Sequence, residues 1–124
     1  MAGFRSKEMQ ERYVLGKEKE GRESGTFIFD WENEAIKTFE YWALLPCTFF
    51  YDLIAEEHHL LVPKRIFGIF ADMNVEEFEE LKKIKLELSP YYSFIIENFP
   101  SGASVPTHFH MHFIRAKGGA ESRS

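Results

Sequence analysis

The run His108-Phe109-His110-Met111-His112-Phe113-Ile114 places three histidines at alternate positions, with large apolar residues between them. A period of two is typical of a β-strand, so the three imidazoles emerge from one face and Phe109, Met111 and Phe113 from the other. Since residues i and i+2 of a strand lie roughly 6 to 7 Å apart, the three rings can line one pocket. The spacing suits two kinds of chemistry, which are phosphoryl transfer and metal binding.

Metal binding has partial support in the sequence. His-x-His on a strand is a common pair of ligands, and neutral imidazole binds zinc well. Gly102, five further residues and His108-x-His110 resemble the start of a cupin metal motif. A cupin also needs a glutamate a few residues later and a fourth ligand in a later strand, and the short tail after Arg115 supplies neither. Cys47 is the only cysteine, so we predict no metal site and no cofactor.

Phosphoryl chemistry uses both the histidine strand and the loop before it. The loop 98–104 reads Asn-Phe-Pro-Ser-Gly-Ala-Ser. Glycine lets a phosphate approach the backbone, and serine hydroxyls and amide N–H groups donate to its oxygens. Histidine, with an ordinary pKa of roughly 6.5, is a good nucleophile toward phosphorus at neutral pH. The sequence therefore favours a site for a small phosphorylated ligand.

The order of the strands and the helix predicted around this site indicates an α+β fold, with a mainly antiparallel sheet and one main helix packed on one face. Asn74 followed by Glu77 is a capping-box signature, and apolar residues at helical spacing then predict a helix from Val75 to Leu86. Ser89-Pro90 ends it. Further strands are predicted before and after the helix, at residues 35–45, 48–54, 58–62 and 91–98. The second and third of these are expected to form a hairpin.

Composition predicts one domain within the 124 residues, since this length buries a single core. We expect a polar and mobile N-terminal segment at 1–25, a folded domain at 26–117 and a flexible tail at 118–124. The formal net charge of −5 argues against large nucleic acids as partners. No apolar run reaches the length of a membrane span, and the single cysteine fits a reducing compartment, so the expected location is the cytoplasm.

The chain resembles the histidine triad (HIT) superfamily of nucleotide hydrolases and transferases. His108 through Ile114 matches every position of the family motif, in which three histidines alternate with bulky apolar residues. The segment 58–65, His-His-Leu-Leu-Val-Pro-Lys-Arg, resembles a second family block in which an active-site histidine precedes proline by five residues. The resemblance covers about residues 35 to 115 and implies the HIT-like fold. The loop before the triad carries one residue more than the family pattern.

Similarity to this family implies a role for each matched residue. His110 would attack the α-phosphorus of a nucleotide and form a covalent nucleotidyl-histidine, which water then hydrolyses. His108 would support and orient it, His112 would contact the phosphate or the leaving group, and His58 would complete the cluster. The three residues implied to hold phosphate oxygens are Asn98, Gly102 and Ser104. Since the third motif position is His112 and not glutamine, the hydrolase branches fit better than the transferase branch.

The resulting hypothesis is a hydrolase of nucleotide phosphoesters, phosphoanhydrides or phosphoramidates, whose partner is a small-molecule nucleotide. One alternative is a noncatalytic relative that keeps the fold and the nucleotide pocket. A histidine-rich metal-binding domain is the other alternative. The family also implies a homodimer, and the 13 phenylalanines would allow an apolar interface.

Overall fold

Five strands form one antiparallel sheet, in the order β1-β2-β3-β5-β4, in a computed structural model that describes residues 3–20, 27–103 and 105–118. The strands are β1 (Lys37–Thr38), β2 (Trp42–Pro46), β3 (Ala55–Pro63), β4 (Phe94–Ile96) and β5 (Met111–Ala116). The helices are α1 (Lys7–Glu20), α2 (Trp31–Glu34) and α3 (Val75–Leu88), with short 3-10 helices at Phe70–Asp72 and Pro100–Gly102. The predicted α+β class is confirmed.

Helix α3 begins where the capping box predicts. The Asn74 side chain accepts a hydrogen bond from the Glu77 N–H at 2.8 Å, and the Glu77 carboxylate accepts one from the Asn74 N–H at 2.9 Å. Two orphan donors at the helix start are thereby satisfied. The helix continues to Leu88, two residues beyond the predicted end, and Ser89 precedes the proline that stops it.

Side chains of β5 and of residues 108–110 just before it point to two faces, as the alternation predicts, although the strand itself begins only at Met111. Phe109, Met111 and Phe113 enter an apolar cluster with α3, which we call the helix face of the sheet. The histidines lie on the opposite side, which we call the histidine face. His58 and His59 split in the same way, since His58 is buried on the histidine face and His59 contacts the Tyr92 hydroxyl on the helix face. Packing on both faces holds β5 in one register.

Two of the predicted strands are corrected by the structure. Residues 48–54 form turns, because the N–H groups of Ile54 and Ala55 both bond to the Tyr51 carbonyl at 3.0 and 2.8 Å. The predicted hairpin of 48–54 with 58–62 is therefore wrong, and β3 pairs with β2 and β5. The predicted strand at 35–45 is interrupted by a turn, where the Phe39 N–H bonds to the Trp42 carbonyl at 2.8 Å.

The N-terminal segment contains more helix than its composition predicts. Helix α1 covers Lys7–Glu20, within the segment 1–25 that we expected to be polar and mobile. It is docked by its buried residues Met9 and Tyr13. The proposed boundary at 25 and most of the predicted tail lie outside the described residues, at 21–26 and 119–124. Within the ranges that the structure describes, no helix has the length and apolar content needed to cross a membrane.

Candidate active site

His110 is held in one tautomer by the backbone of its own motif. Its Nδ1 lies 3.0 Å from the carbonyl oxygen of His108. A carbonyl only accepts, so Nδ1 carries the hydrogen, and Nε2 of the neutral ring is the unprotonated nitrogen. The ring is buried at 6% exposure and meets the Phe29 ring edge to face, with centroids 5.1 Å apart. His110 is thus orientated with a basic nitrogen, which is the form that a nucleophile requires.

His108 is a fully buried positioning residue. Its Nδ1 accepts a hydrogen bond from the Phe29 N–H at 3.1 Å, and its Nε2–H donates to the Pro63 carbonyl at 2.8 Å. Burial lowers the pKa of His108, although the Pro63 carbonyl opposes the change. Both ring nitrogens are engaged with backbone groups. His108 therefore fixes the segment whose carbonyl orients His110.

A glycine permits this segment to lie where it does. A Cβ atom on Gly68 would come within 2.4 Å of the Pro106 carbonyl oxygen. Nearby, the Phe109 N–H donates a hydrogen bond to the Phe67 carbonyl at 2.6 Å, so residues 67–68 and 106–109 lie against each other. The close approach of residues 67–68 to the start of the histidine run needs a residue without a side chain.

A directed chain of hydrogen bonds joins His58 to His112. The Tyr51 N–H donates to His58 Nδ1 at 3.0 Å, so His58 Nε2 carries the hydrogen and donates to His112 Nδ1 at 2.8 Å. In the neutral state, His112 Nε2 then carries a hydrogen and is a donor. Asn98 Nδ2 lies 3.4 Å from this nitrogen. Because His112 Nε2 is a donor, its hydrogen-bond partner must be the Asn98 amide oxygen, which a flip of the side-chain amide would place at this position.

Burial keeps these rings uncharged at neutral pH. Desolvation lowers the pKa of His58 to about 3, with smaller contributions from the charge of Arg5 and the neighbouring histidines. Desolvation likewise lowers the pKa of His112 to about 2, again with the adjacent rings and Arg5 opposing protonation. The Tyr51 ring stacks on His112 with centroids 5.0 Å apart and shields it from water. The site therefore offers neutral hydrogen-bond donors and acceptors from these rings.

A small cavity of about 50 Å³ opens beside His110 and His112. Whole ligands of drug size usually occupy roughly 300–1,000 Å³, so this cavity has room for a phosphoryl group and not for an entire nucleotide. A nucleoside would have to lie at its mouth. The residues that line it are Arg5, Tyr13, Phe29, Glu34, Leu45, Pro46, Cys47, Thr48, Phe49, Leu60, Val105, His110 and His112.

The predicted phosphate loop is placed only in part beside the histidines. Asn98 lies next to His112, whereas Gly102 is exposed in the 3-10 helix Pro100–Gly102 and has nothing within 4 Å of its Cβ direction. Ser104 lies outside the described residues.

In the described ranges, no group of three or more His, Cys, Asp or Glu side chains is arranged to hold a metal ion.

Sequence patterns alone did not single out several residues of the site. Phe29 and Tyr51 each donate a backbone N–H to a motif histidine and pack a ring against another. Arg5 and Tyr13 reach the cavity from the N-terminal segment, which carries no recognisable motif. The aromatic run at 49–51 beside Asp52 was the one available signal for Tyr51.

Fold and site together define an α+β protein with four buried histidines on one face of the sheet, of which His110 and His112 line a cavity. His58 bonds to His112, and the His108 carbonyl bonds to His110. Neither a family model nor a curated protein sequence is significantly similar to the chain. The function must therefore be inferred from the site.

Proposed function

We propose that this protein is a HIT-like nucleotide hydrolase that cleaves at the α-phosphorus of a phosphoester, phosphoanhydride or phosphoramidate. The observation that carries the proposal is the contact of His110 Nδ1 with the His108 carbonyl oxygen, which assigns the tautomer of the ring. The bond from its Nδ1–H to the His108 carbonyl leaves Nε2 as the basic nitrogen of a ring that lines a cavity of phosphoryl size. Generic surface histidines have no such fixed orientation.

The reaction proceeds in two displacements. His110 Nε2 attacks the α-phosphorus, the bond to the leaving group breaks, and a proton from solvent neutralises the departing oxygen or nitrogen. Water then attacks the nucleotidyl-histidine, releasing a nucleoside monophosphate and returning the electron pair to Nε2. The bond to the His108 carbonyl stabilises the imidazolium character that develops on His110 during the first step.

His112 and His58 act in this scheme as an oriented donor pair. The hydrogen on His112 Nε2 is directed by the chain that begins at the Tyr51 N–H. It can stabilise charge that grows on a phosphate oxygen without adding a formal charge of its own. His58 cannot give up its Nε2 hydrogen and stay neutral, because the Tyr51 N–H occupies its other nitrogen. His112 therefore donates a hydrogen bond and does not relay a proton.

The alternatives have less support from the geometry. Both nitrogens of His58 and both nitrogens of His108 already bond to protein groups, so either ring would have to break a hydrogen bond to coordinate a metal. A noncatalytic nucleotide-binding protein would need the same cavity but no basic Nε2 on His110. An assay of turnover distinguishes this alternative from a hydrolase. The homodimer implied by the resemblance stays a prediction.

The test is the His110→Ala variant, with His59→Ala as a matched control that removes a histidine from the helix face. Both proteins are assayed for nucleoside monophosphate release from adenylated and guanylated phosphoanhydrides and phosphoramidates. We expect His110→Ala to lose several orders of magnitude in turnover with its fold intact, because the covalent pathway is removed. His59→Ala should remain active.

A second measurement identifies the intermediate. Wild-type protein, mixed with a substrate labelled at the α-phosphorus and quenched in alkaline denaturant to preserve the acid-labile P–N bond, should carry the label on His110. Turnover of His110→Ala close to that of the wild type would refute the assignment of the nucleophile. An inactive wild-type protein that still binds nucleoside monophosphates would support the noncatalytic alternative.

A further inference from the structure

The histidines leave the charge of a phosphate unbalanced. A bound phosphoryl group carries one or two negative charges, and burial keeps His58, His108 and His112 neutral at pH 7. Burying an anion without a compensating cation is costly. Among the described residues that line the cavity, Arg5 is the single Lys or Arg, and Glu34 is the single Asp or Glu.

Arg5 is held at the cavity by the N-terminal segment and by the loop opposite. Its Nε–H donates to the Phe49 carbonyl at 2.7 Å, and Nη1 lies 3.5 Å from Gln10 Oε1. The guanidinium lies between two aromatic rings, 4.1 Å from the Tyr13 centroid and 4.9 Å from the Tyr51 centroid. These contacts with described residues engage two of the five N–H donors that a guanidinium carries.

The segment that carries Arg5, just before α1, is anchored beside the site. The Ser6 N–H and hydroxyl both donate to the Asp52 carboxylate, at 2.6 and 2.5 Å, and the Leu53 N–H bonds to the Phe4 carbonyl at 3.0 Å. The bond to Ser6 lowers the pKa of Asp52, so this anchor is in place at neutral pH. Residues 4–6 are thus fixed against the turn that supplies Tyr51.

We propose that Arg5 is a substrate-binding residue, which contacts the phosphoryl group of the nucleotide in the His110 cavity. The ligand class rests on the proposed function, and the assignment makes the N-terminal segment part of the site. Arginine suits this position because its planar donors match phosphate oxygens and its charge persists when the group is partly buried. Neutral donors from His112 and the charge of Arg5 would then share the phosphoryl oxygens.

The competing explanation is that Arg5 only pins α1 to the Phe49 carbonyl. The two roles differ in what they predict for a ligand that lacks phosphate. A phosphate-binding Arg5 affects AMP and not adenosine, whereas a structural Arg5 affects both alike, because a displaced helix changes the whole cavity mouth.

The experiment measures dissociation constants for AMP and adenosine, and in parallel for GMP and guanosine, by isothermal titration calorimetry. The proteins are wild type, Arg5→Ala, Arg5→Lys and the control Lys7→Ala, which removes an exposed cation two residues further along the chain. We expect Arg5→Ala to weaken monophosphate binding by about 10- to 100-fold, which corresponds to about 1.4–2.7 kcal/mol and fits the loss of a charge-assisted contact. Nucleoside binding should be unchanged, Arg5→Lys should recover part of the loss, and Lys7→Ala should match the wild type.

The outcomes separate this inference from the proposed function. Equal weakening of monophosphate and nucleoside in Arg5→Ala, unchanged monophosphate binding, or no binding of either monophosphate to the wild type would overturn the role of Arg5. The proposed function fails on a different result, namely a wild-type protein that binds AMP or GMP through Arg5 and hydrolyses none of the substrates.

Discussion

Truncation of His108 should destabilise the fold more than truncation of any other histidine of the site. In His108→Ala, the Phe29 N–H and the Pro63 carbonyl each lose a buried partner. Each such loss costs about 1–3 kcal/mol, so the pair amounts to about 2–6 kcal/mol before the cavity left by a fully buried ring is counted. A domain has a total stability of only about 5–15 kcal/mol. The variant should therefore be severely destabilised.

The assay is urea unfolding followed by circular dichroism, with His59→Ala as the control. His59 is only partly buried, and its side chain contacts the Tyr92 hydroxyl and, at 3.9 Å, the Glu57 carboxylate, so its loss should cost about 1 kcal/mol. A second variant, His108→Gln, offers one donor and one acceptor and should recover part of the stability. If the free energy of unfolding of His108→Ala lies within about 1 kcal/mol of the wild-type value, the two hydrogen bonds of His108 to the backbone do not stabilise the fold as their burial implies.

Two further predictions concern pH and metal ions. Burial lowers the pKa of His58 from 6.5 to about 3. Between pH 6.5 and pH 3 the unfolded chain therefore binds a proton at His58 that the folded chain does not bind. The free energy of unfolding should fall as the pH is lowered through this range, by about 1.4 kcal/mol per pH unit for one such histidine. Urea unfolding at several pH values should show this slope, with a shallower one in His58→Gln; an equal slope in both would contradict it. Hydrolysis should survive dialysis against EDTA, because the chemistry is assigned to His110; lost activity restored by zinc would favour the metal interpretation.

Local sequence patterns were sufficient for the elements whose determinants lie close together in the chain. The capping box and apolar spacing place α3, because a helix start is decided by groups three residues apart. The alternation in the histidine run places its two faces, because successive side chains of an extended segment point to opposite sides whatever the strand pairs with. The four histidines named from the sequence therefore lie buried on one face of the sheet.

The strand errors arise where local pattern and long-range pairing disagree. Residues 48–54 have the aromatic content of a strand, but the N–H groups of Ile54 and Ala55 bond within the same turn, to the Tyr51 carbonyl. The neighbour of β3 on that side of the sheet is instead β2. Pairing between strands depends on which surfaces meet in three dimensions, so composition alone cannot choose between two candidate partners.

From the sequence by itself came the α+β class, the helix α3 and the identity of the histidines. Only the tertiary structure decided their different chemical states. The donors that fix these states are the backbone N–H groups of Phe29 and Tyr51, which lie 79 and 7 residues away in the chain from the rings they contact. A tautomer depends on which donor or acceptor each nitrogen meets, and a pKa depends on how much water the fold excludes. Arg5 reaches the cavity for the same reason, since folding and not sequence spacing brings the N-terminal segment to it.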